Sequence, residues 1–564
     1  MAKQLIECVP NFSEGNDMTI IDAITAKITA IDGVKLLDVD PGKATNRTVV
    51  TFVGTPDEVV EAAFQAIKKA QELIDMRKHQ GEHPRFGATD VCPFIPIANI
   101  TMEETVAFAR KLSKRVGEEL GIPVYNYEFA AQEEKRKNLA NCRQGEYEGL
   151  AEKLTNFAWK PDFGTASFNE SVAKSGATAI GARNFLIAYN INLNTTSTRR
   201  ANAVAFDLRE RGRVKREGGK LTGKPVKDEA GNTVYTPGLL KSVKAIGWYI
   251  AEYGVCQISM NLTDITVTSM HEAFDKTCER ATARGLRVTG SELIGVVPLQ
   301  AMLDAGKYFL RKQNRSTGIA DSEIIKIAVK SLGLDELTPF DPKKKIIEYL
   351  LEEDEAAKLV NMSLTDFAYE TSSESPAPGG GSISAYMGVI GVSLGMMVAN
   401  LSAHKRGWDD RWEEFSDWAE KGKNYQEALL KMVDEDTNAF NKIMDAFALP
   451  KKSDEDKAIR SQAIQAATKY AIEVPYKVME LCYGAMEVML AMAAIGNPNS
   501  VTDAAVGAIA ARGGVLGAFL NVKINASGLK DKAYVTEILK KGEALETKTI
   551  ALEAKILAVA NEKM

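Results

Sequence analysis

The pattern of the chain changes near residue 359. Before that point, short strand-like runs alternate with amphipathic helical stretches, whereas long helical patterns continue from there to the last residue. Alternating strand and helix signals predict an α/β fold, and helical patterns joined by short turns predict antiparallel helices. The 564 residues are therefore expected to form an α/β module with mixed sheets and helices, followed by an all-α domain.

The α/β part divides into two halves of similar size. The strand-like runs lie at 5–12, 35–40, 47–54, 185–193, 257–264 and 292–299, and helical patterns lie at 57–74 and 267–285. We predict subdomains at 1–181 and 182–335, with a ligand-binding cleft between them. The charged stretch 336–358 is interpreted as a linker that ends in a short helix, and 359–564 as the helical domain.

Charge and cysteine usage exclude several classes of protein. With a formal net charge of −5, the chain has no basic field for nucleic acid or an anionic membrane. Its six cysteines form no CxxC pair and it has only four histidines, so no metal site is expected. The start, MAKQLIECVPNF, carries a glutamate where a secretory leader would be apolar. We predict a reduced cytoplasmic protein.

One stretch tests the expectation that no membrane is involved. Residues 383–403 carry no charge and approach the length of a membrane span. Gly388, Gly391 and Gly395 repeat at helical spacing, which lets helices approach closely in membranes and in buried cores alike. Because no second span or aromatic belt stands out in the sequence, we favour a buried helix of a soluble domain.

The segment RKHQGEHPRFGATDVCPFIP (77–96) carries two of the four histidines. Histidine can take and return a proton near neutral pH. Pro84 holds His83 extended, and Glu82 and Arg85 place charges beside a run that looks buried. A loop histidine bonded to backbone is the alternative, but this concentration of polar groups on a loop entering the core favours a site.

The run DVDPGKATNR (38–47) forms a second candidate group. Alternation along a strand puts Asp38 and Asp40 on one face, where two carboxylates could hold an amine or imine. Asn46 and Arg47 follow the Pro-Gly turn. The alternative is a turn in which Asp40 and Asn46 only satisfy backbone donors, and both interpretations stay open.

The segment 161–190 is punctuated by glycines. Backbone donors and an aromatic face there suit a flat heterocycle with polar edges, although a linker between subdomains would also be rich in Gly and Ser. The residues singled out are Gly164, Ser167, Phe168, Lys174, Gly176 and Gly181.

In the helical part, Asp436 falls on an apolar face. A helix over 432–447 groups it with Met432, Phe440, Ile443 and Phe447. Burial raises the pKa of a carboxyl group and makes it a usable acid or base. The alternative is an aspartate bonded to the backbone of another helix.

Two further pieces accompany Asp436. Three glycines including Gly380 precede a predicted helix start with Ser382 as candidate N-cap, an arrangement that could hold an anion or simply make a tight turn. Asp503, Asn521 and Asn525 lie among small residues in 499–525. Asn521 and Asn525 share a helix face and either bind the edge of a heterocycle or satisfy the core.

These motifs resemble those of the formimidoyltransferase-cyclodeaminase family. ECVPNFSEG (7–15), DVDPGKATNRTVVTFVG (38–54) and the His83 segment are similar to its formiminotransferase domain; SPAPGGGS (375–382), LLKMVDEDTNAF (429–440) and GAFLNVKIN (517–525) are similar to its cyclodeaminase domain. The resemblance implies transfer of a formimino group from N-formimino-L-glutamate to tetrahydrofolate. It further implies cyclisation of 5-formimino-tetrahydrofolate to 5,10-methenyl-tetrahydrofolate with release of ammonia.

The resemblance also assigns roles to residues. His83 and Asp436 take the positions of the catalytic residues of the two domains, and Gly164 to Gly176 that of a folate-binding loop. It implies folate bound between two α/β subdomains, a polyglutamylated tetrahydrofolate substrate and a ring-shaped homo-oligomer. The remaining residues expected to contact substrate are Asp40, Asn46, Arg47, Glu82, Ser167, Phe168, Lys174, Gly380, Ser382, Asp503, Asn521 and Asn525.

Two other functions are kept open. The helical domain could be a methenyl-tetrahydrofolate cyclohydrolase, since both reactions centre on the same bridged folate. The chain could also bind folate as a scaffold without turnover. The presence of His83 and Asp436 argues against the scaffold, because a scaffold needs no groups that move protons.

Overall fold

A computed structural model describes residues 4–43, 45–81, 83–219, 222–351 and 359–564. The described chain separates into two compact units. Residues up to 305 together with 328–351 form an α/β unit, and 306–327 together with 359–564 form a helical unit. This confirms the predicted fold class of an α/β module followed by an all-α domain.

The first half of the α/β unit is one mixed sheet with helices. Its strands are β1 (Leu5–Cys8), β2 (Asn11–Phe12), β3 (Lys35–Gly42), β4 (Arg47–Gly54), β5 (Thr89–Ala98), β6 (Val124–Glu128) and β7 (Thr178–Ala182). Its helices are α1 (Met18–Thr29), α2 (Pro56–Leu73), α3 (Met102–Leu120), α4 (Glu134–Lys137), α5 (Leu139–Cys142), α6 (Leu150–Thr155) and α7 (Glu170–Ser175). β3 pairs with β4, and β4 also pairs with β1 and β2. Both β1 and β2 pair with β5 on their other side. The strands β5, β7 and β6 follow in that order and run parallel to one another.

Local sequence explains the second helix of this half. A capping box of Thr55 and Glu58 with Pro56 in the first turn begins α2, because these groups satisfy or remove free N–H donors. The predicted apolar stripe, including Val60, Ala63 and Ile67, is at most 1% exposed. These residues pack in the core that α1, α2 and α3 form with one face of the sheet.

The second half of the α/β unit contains an antiparallel sheet in the order β11-β12-β8-β13. Its elements are β8 (Ile187–Leu193), α8 (Thr198–Leu208), β9 (Arg213–Val214), β10 (Tyr235–Thr236), β11 (Val243–Ile250), β12 (Val255–Leu262), α9 (Met270–Thr282), β13 (Val288–Ile294), α12 (Pro342–Lys345) and α13 (Ile347–Leu351). The helices α10 (Leu299–Lys312) and α11 (Asp321–Leu332) belong partly to this unit and partly to the helical unit, which includes residues 306–327. The helices α8 and α9 pack on one face, leaving the polar side chains of β8, β12 and β13 on the other.

The predicted linker is partly folded. α12 and α13 occupy its centre, and Ile346, which is fully buried, forms a bridge to Val297. The sequence predicts a short helix at the end of the linker, but the charged residues of this stretch give no indication that Ile346 and Ile347 are buried. Residues 352–358 of the predicted linker lie outside the described residues.

The helical unit is built from α14 (Leu364–Thr371), α15 (Gly380–Ala403), α16 (Trp412–Ala448), α17 (Asp454–Ile495), α18 (Val501–Ala526) and α19 (Lys532–Lys563). Helical patterns at 411–435 and 437–448 predict two helices, whereas α16 is continuous across both. Asp436 lies inside it, and no glycine or proline interrupts the helix nearby.

Three helices of this unit are long and apolar enough to cross a membrane by length and composition: Gly380–Ala403, Asp454–Ile495 and Pro498–Ala526. At least half of each apolar window is buried within the unit. α15 and α18 approach closely, because a Cβ at Gly391 would lie 2.7 Å from the carbonyl oxygen of Gly507. The predicted small-residue stripe therefore serves helix packing.

Candidate active sites

His83 lies between α2 and β5 and is partly buried. Its Nδ1 is 2.7 Å from the carbonyl oxygen of Pro84. Nη1 of Arg47, which only donates, contacts both ring nitrogens, Nδ1 more closely than Nε2, which is 3.0 Å away. Burial, followed by the Arg47 guanidinium, lowers the pKa of His83 to about 4. The imidazole is therefore a neutral base at physiological pH.

Arg47 is fixed by partners that the sequence analysis did not single out. Its Nε and Nη2 donate to Oδ1 of Asn11 at 2.9 and 2.6 Å. Its Nη1 is 3.4 Å from Oδ2 of Asp90, which is fully buried. The same carboxylate accepts from Nε of Arg143 at 3.1 Å. Burial and Arg143 lower the pKa of Arg47 to about 10, so it stays protonated at neutral pH.

Asn46 holds the turn before Arg47 in place. Its φ of 46° lies in the left-handed region that asparagine tolerates. The amide accepts from the N–H of Gly15 at 3.0 Å and donates to the carbonyl of Gln80 at 2.9 Å. Its own carbonyl accepts from Nε2 of His79 at 2.7 Å. The turn-cap interpretation therefore fits Asn46 better than the predicted substrate contact, and Glu82 lies outside the described residues.

Asp38 and Asp40 lie on one face of β3, as predicted. Asp40 is paired with Val49, which is paired on its other side with Asn11, so Asp40 and Asn11 share a face about 10 Å apart. Burial raises the pKa of both aspartates. Oδ2 of Asp38 is buried without a hydrogen-bond partner in the described part of the chain.

Polar residues of the second sheet face these aspartates. Glu292 of β13 accepts from Tyr253 at 3.1 Å and from Gln257 at 3.3 Å. Burial and the charge of Asp38 raise the pKa of Asp40 most, and the negative charge of Glu292 raises it further. Lys345 is 3.8 Å from Asp38. Carboxyl groups of both halves therefore lie close enough to interact, at the position expected for the predicted cleft.

Two glycines of the 161–190 segment are required by backbone geometry. Gly164 and Gly176 have φ values of +84° and +68°. A Cβ would lie 2.1 Å from the carbonyl of Ile122 at the first position and 2.3 Å from that of Phe86 at the second. Gly164 lets this segment pack against the residues that precede β6, and Gly176 lets it pack against the loop between His83 and β5.

The other predicted residues of that segment do not converge on His83 through any contact among the described residues. Ser167 is exposed and Phe168 is 40% exposed, with its ring 6.4 Å from Tyr147. The Lys174 ammonium donates to the carbonyl of Glu72 at 2.7 Å. Lys174 is therefore held by the protein instead of being presented to a ligand.

A cavity of about 470 Å³ lies beside the His83 loop. Gln80, Gly81, Arg85, Gly145, Glu146 and Glu148 line it. Arg85 is paired with both glutamates, so the lining carries excess negative charge. His83 does not line this cavity, and the negative lining would repel an anion. We therefore do not assign the cavity to an anionic substrate.

Asp436 of α16 meets the first turn of α15. Its Oδ2 accepts from the backbone N–H of Ser382 at 3.0 Å and lies 3.3 Å from the Ser382 hydroxyl. Gly379, not Ser382, is the N-cap of α15, and the Asp436 carboxylate takes over the capping role. Despite these bonds, burial raises the pKa of Asp436.

The glycines around Ser382 make room for this contact. A Cβ at Gly381 would lie 2.0 Å from Oδ1 of Asp436. One at Gly380 would lie 3.3 Å from Nδ2 of Asn521, which comes from α18. The structure therefore brings Gly380, Ser382, Asp436 and Asn521 together, as the sequence predicted.

The remaining residues predicted for this site are separated from it or occupied. Asp503 lies on α18 eighteen positions before Asn521, about 27 Å along the helix axis, so these two do not share a site. Asn525 donates to the carbonyl of Ala471 at 2.7 Å, which matches the core-satisfaction alternative.

The apolar face predicted around Asp436 is rotated. Val433 and Ala439, at most 2% exposed, flank Asp436 on the buried side of α16, whereas Phe440 and Phe447 are 43% and 49% exposed. Asp436 still faces the core, because it lies one turn from each of these buried residues.

Each unit thus holds one partly buried titratable side chain with a shifted pKa, His83 in the α/β unit and Asp436 in the helical unit, as in an enzyme with two separate sites. Residues 5–183 match the family described as Formiminotransferase domain, N-terminal subdomain; 188–352 match Formiminotransferase domain; and 363–544 match Formiminotransferase-cyclodeaminase.

Relatives match the whole chain and each of its parts. A formimidoyltransferase-cyclodeaminase of Dictyostelium discoideum is 41% identical over 99% of both chains. A glutamate formimidoyltransferase of Thermoplasma acidophilum is 43% identical over 54% of this chain and 92% of its own. A methenyltetrahydrofolate cyclohydrolase of Methylorubrum extorquens is 34% identical over 36% of this chain and 98% of its own. The chain belongs to the formimidoyltransferase-cyclodeaminase family.

Proposed function

We propose that this chain catalyses two consecutive folate reactions. The α/β unit transfers the formimino group of N-formimino-L-glutamate to N5 of tetrahydrofolate, and the helical unit cyclises the product with loss of ammonia. The observation that carries the proposal is the placement of His83 and Asp436 in separate units that match the transferase and cyclodeaminase families. Each has the pKa shift that its role requires.

In the transfer step, N5 of tetrahydrofolate forms a bond to the formimino carbon and loses a proton. The imidazole of His83 accepts that proton when Arg47 gives up its contact with the ring nitrogens. The imidazolium, destabilised by burial and by Arg47, then returns the proton to the glutamate nitrogen as its bond to carbon breaks. Glutamate leaves and His83 is neutral again.

The carboxyl-lined cleft suits the donor-rich edge of the pteridine ring. Asp38 offers a buried oxygen without a partner among the described residues, and Asp40 and Glu292 lie nearby. A ring amide N–H and an exocyclic amino group would satisfy these acceptors. We therefore place the tetrahydrofolate ring between the two sheets, with Asp40 as a contact.

In the cyclisation step, N10 attacks the formimino carbon of 5-formimino-tetrahydrofolate. Asp436 takes the N10 proton and passes it to the amino group, which leaves as ammonia, so the cationic methenyl product forms from a cationic formimino group. The raised pKa of Asp436 helps because the protonated acid must persist until ammonia leaves.

One incubation tests both steps. Pure protein with tetrahydrofolate and N-formimino-L-glutamate should release glutamate, ammonia and 5,10-methenyl-tetrahydrofolate in step. Glutamate without ammonia would refute the cyclodeaminase assignment. Folate binding with no product would refute both assignments and support a scaffold.

The similarity of the helical part to a methenyltetrahydrofolate cyclohydrolase favours one alternative. In that reaction, water adds to the methenyl carbon and 10-formyl-tetrahydrofolate forms without ammonia. Ammonia release from supplied 5-formimino-tetrahydrofolate separates the two functions, because the hydrolase does not produce it.

Four expectations about the enzyme's context belong to this proposal. We propose a cytoplasmic enzyme, since all six cysteines are free thiols. Exposed apolar side chains on α15 and α18, including Ile390, Val506 and Ile524, support a homo-oligomer, expected as a ring. We further propose a polyglutamylated tetrahydrofolate substrate and proton transfer by the two side chains without a metal ion. Native mass measurement tests the oligomer.

A further inference from the structure

One guanidinium group near His83 has unused hydrogen-bond donors. The Arg143 side chain is 13% exposed and binds fully buried Asp90 through Nε and Nη2. Within the described residues its Nη1 has no hydrogen-bond partner. The buried carboxylate therefore fixes the plane of the guanidinium and leaves one edge of it available.

The charges around this edge do not cancel. Arg47 and Arg143 contribute two positive charges and Asp90 one negative charge. Both arginines act on His83, since each lowers its pKa in addition to the effect of burial. Among the described residues this leaves a local excess of one positive charge, which together with a fixed planar donor edge favours a carboxylate ligand.

The chemistry of the donor places a carboxylate here, if the proposed transfer reaction holds. In N-formimino-L-glutamate, the nitrogen that must receive a proton from His83 is attached to the carbon bearing the α-carboxylate. The γ-carboxylate is two further carbons away. When His83 reaches this nitrogen, the α-carboxylate lies within a few ångströms of the histidine, on the scale of the Arg47 contact at 3.0 Å.

We propose that Arg143, together with Arg47, binds the α-carboxylate of the formimino donor. Asp90 acts as a positioning residue that holds both guanidinium groups. This arrangement determines which formimino compounds can react, because a donor with an uncharged α-amide leaves the arginine pair without its anion. The γ-carboxylate does not contact the arginine pair, so it need not be charged.

Three donors distinguish the two carboxylates: N-formimino-L-glutamate, its α-amide N-formimino-L-isoglutamine and its γ-amide N-formimino-L-glutamine. The full-length enzyme should disfavour the α-amide by about 100-fold in kcat/KM and the γ-amide much less. Stronger rejection of the γ-amide would overturn the proposal. Failure of the wild type to transfer from N-formimino-L-glutamate would instead refute the proposed function itself.

Arg143→Gln supplies the second test. It should raise the KM for N-formimino-L-glutamate about 10- to 100-fold, leave the KM for tetrahydrofolate unchanged and reduce discrimination against the α-amide. Arg143→Lys should keep part of the discrimination, because it keeps the charge but loses the planar edge. Arg110→Gln is the control, because Arg110 is exposed and donates to the carbonyl of Ala130.

Ammonia release from supplied 5-formimino-tetrahydrofolate reports on the helical unit, so an unchanged KM for tetrahydrofolate in the transfer reaction is the measure that the α/β unit of each variant is folded. An Arg143→Gln enzyme with normal ammonia release and wild-type discrimination between donors would refute the assignment. Equal changes in the KM values of donor and tetrahydrofolate would also refute it, because they would indicate a general distortion of the cleft.

Discussion

Replacement of Gly381 by alanine tests whether the contact between Asp436 and the first turn of α15 carries the cyclisation. The new Cβ would lie 2.0 Å from Oδ1 and 2.4 Å from Cγ of Asp436. Ordinary van der Waals separations exceed these distances, so the carboxylate must move by at least about 1 Å. That displacement breaks its hydrogen bond to the backbone N–H of Ser382, now 3.0 Å long.

The expected magnitude follows from opposing contributions. Alanine in place of glycine inside a helix stabilises it by about 1 kcal/mol. Overpacking costs about 1–3 kcal/mol, and loss of a hydrogen bond to a charged group costs about 1.5–3 kcal/mol. The net loss is therefore about 1.5–5 kcal/mol. A displaced acid–base group should lower the cyclisation rate about 10²- to 10⁴-fold.

Ammonia release from 5-formimino-tetrahydrofolate measures the effect, with glutamate release in the transfer reaction as an internal standard. Gly395→Ala is the matched control. It lies on the same helix, and its Cβ would meet Val488 at 3.3 Å, a contact that a side chain can relieve. Ammonia release by Gly381→Ala within about threefold of wild type would show that Asp436 does not act from this position.

Further predictions concern the α/β unit. His83→Ala should abolish glutamate release and leave ammonia release from 5-formimino-tetrahydrofolate; surviving transfer would remove His83 from the mechanism. Because the pKa of His83 is about 4, kcat/KM for transfer should fall only as pH drops through about 4. In a pH profile, Arg47→Gln should move the pH at which kcat/KM falls toward 6.5. The folded state binds fewer protons between pH 6.5 and 4, so unfolding free energy should decrease over that window by up to about 3 kcal/mol as pH falls. Gly176→Ala should lower the thermal midpoint more than Gly285→Ala. Both glycines have a positive φ, but only at Gly176 would the new Cβ meet a backbone carbonyl, that of Phe86. Equal shifts would mean that backbone strain from the positive φ alone decides the effect.

Local signals made most of the fold predictable. The β4 strand was predicted at the residues it occupies, and the buried stripe of α2 followed from apolar spacing. Predictions failed where the packing partner comes from elsewhere in the chain. The buried Ile346 shows this, because its partner Val297 is about 50 residues earlier and the surrounding charges gave the only local signal.

The site residues divide in the same way, into those that the local sequence indicates and those that only the folded chain brings together. His83, Arg47 and Asp436 stand in motifs whose residue types suggest chemistry. Asp90 and Arg143 do not, since a lone aspartate before an apolar run and an arginine after a short helix have many ordinary explanations. Only the fold shows that residues 53 positions apart form one ion pair, because such contacts leave no periodicity in the sequence.

The double use of Asp436 affects how related sequences should be interpreted. Its carboxylate accepts the N–H that begins α15 in addition to its proposed part in the reaction. Natural selection for a stable bundle would preserve this aspartate even in a descendant that no longer turns over folate. Loss of activity in such a lineage should therefore appear first at positions without a capping duty, such as Asn521, while the aspartate remains.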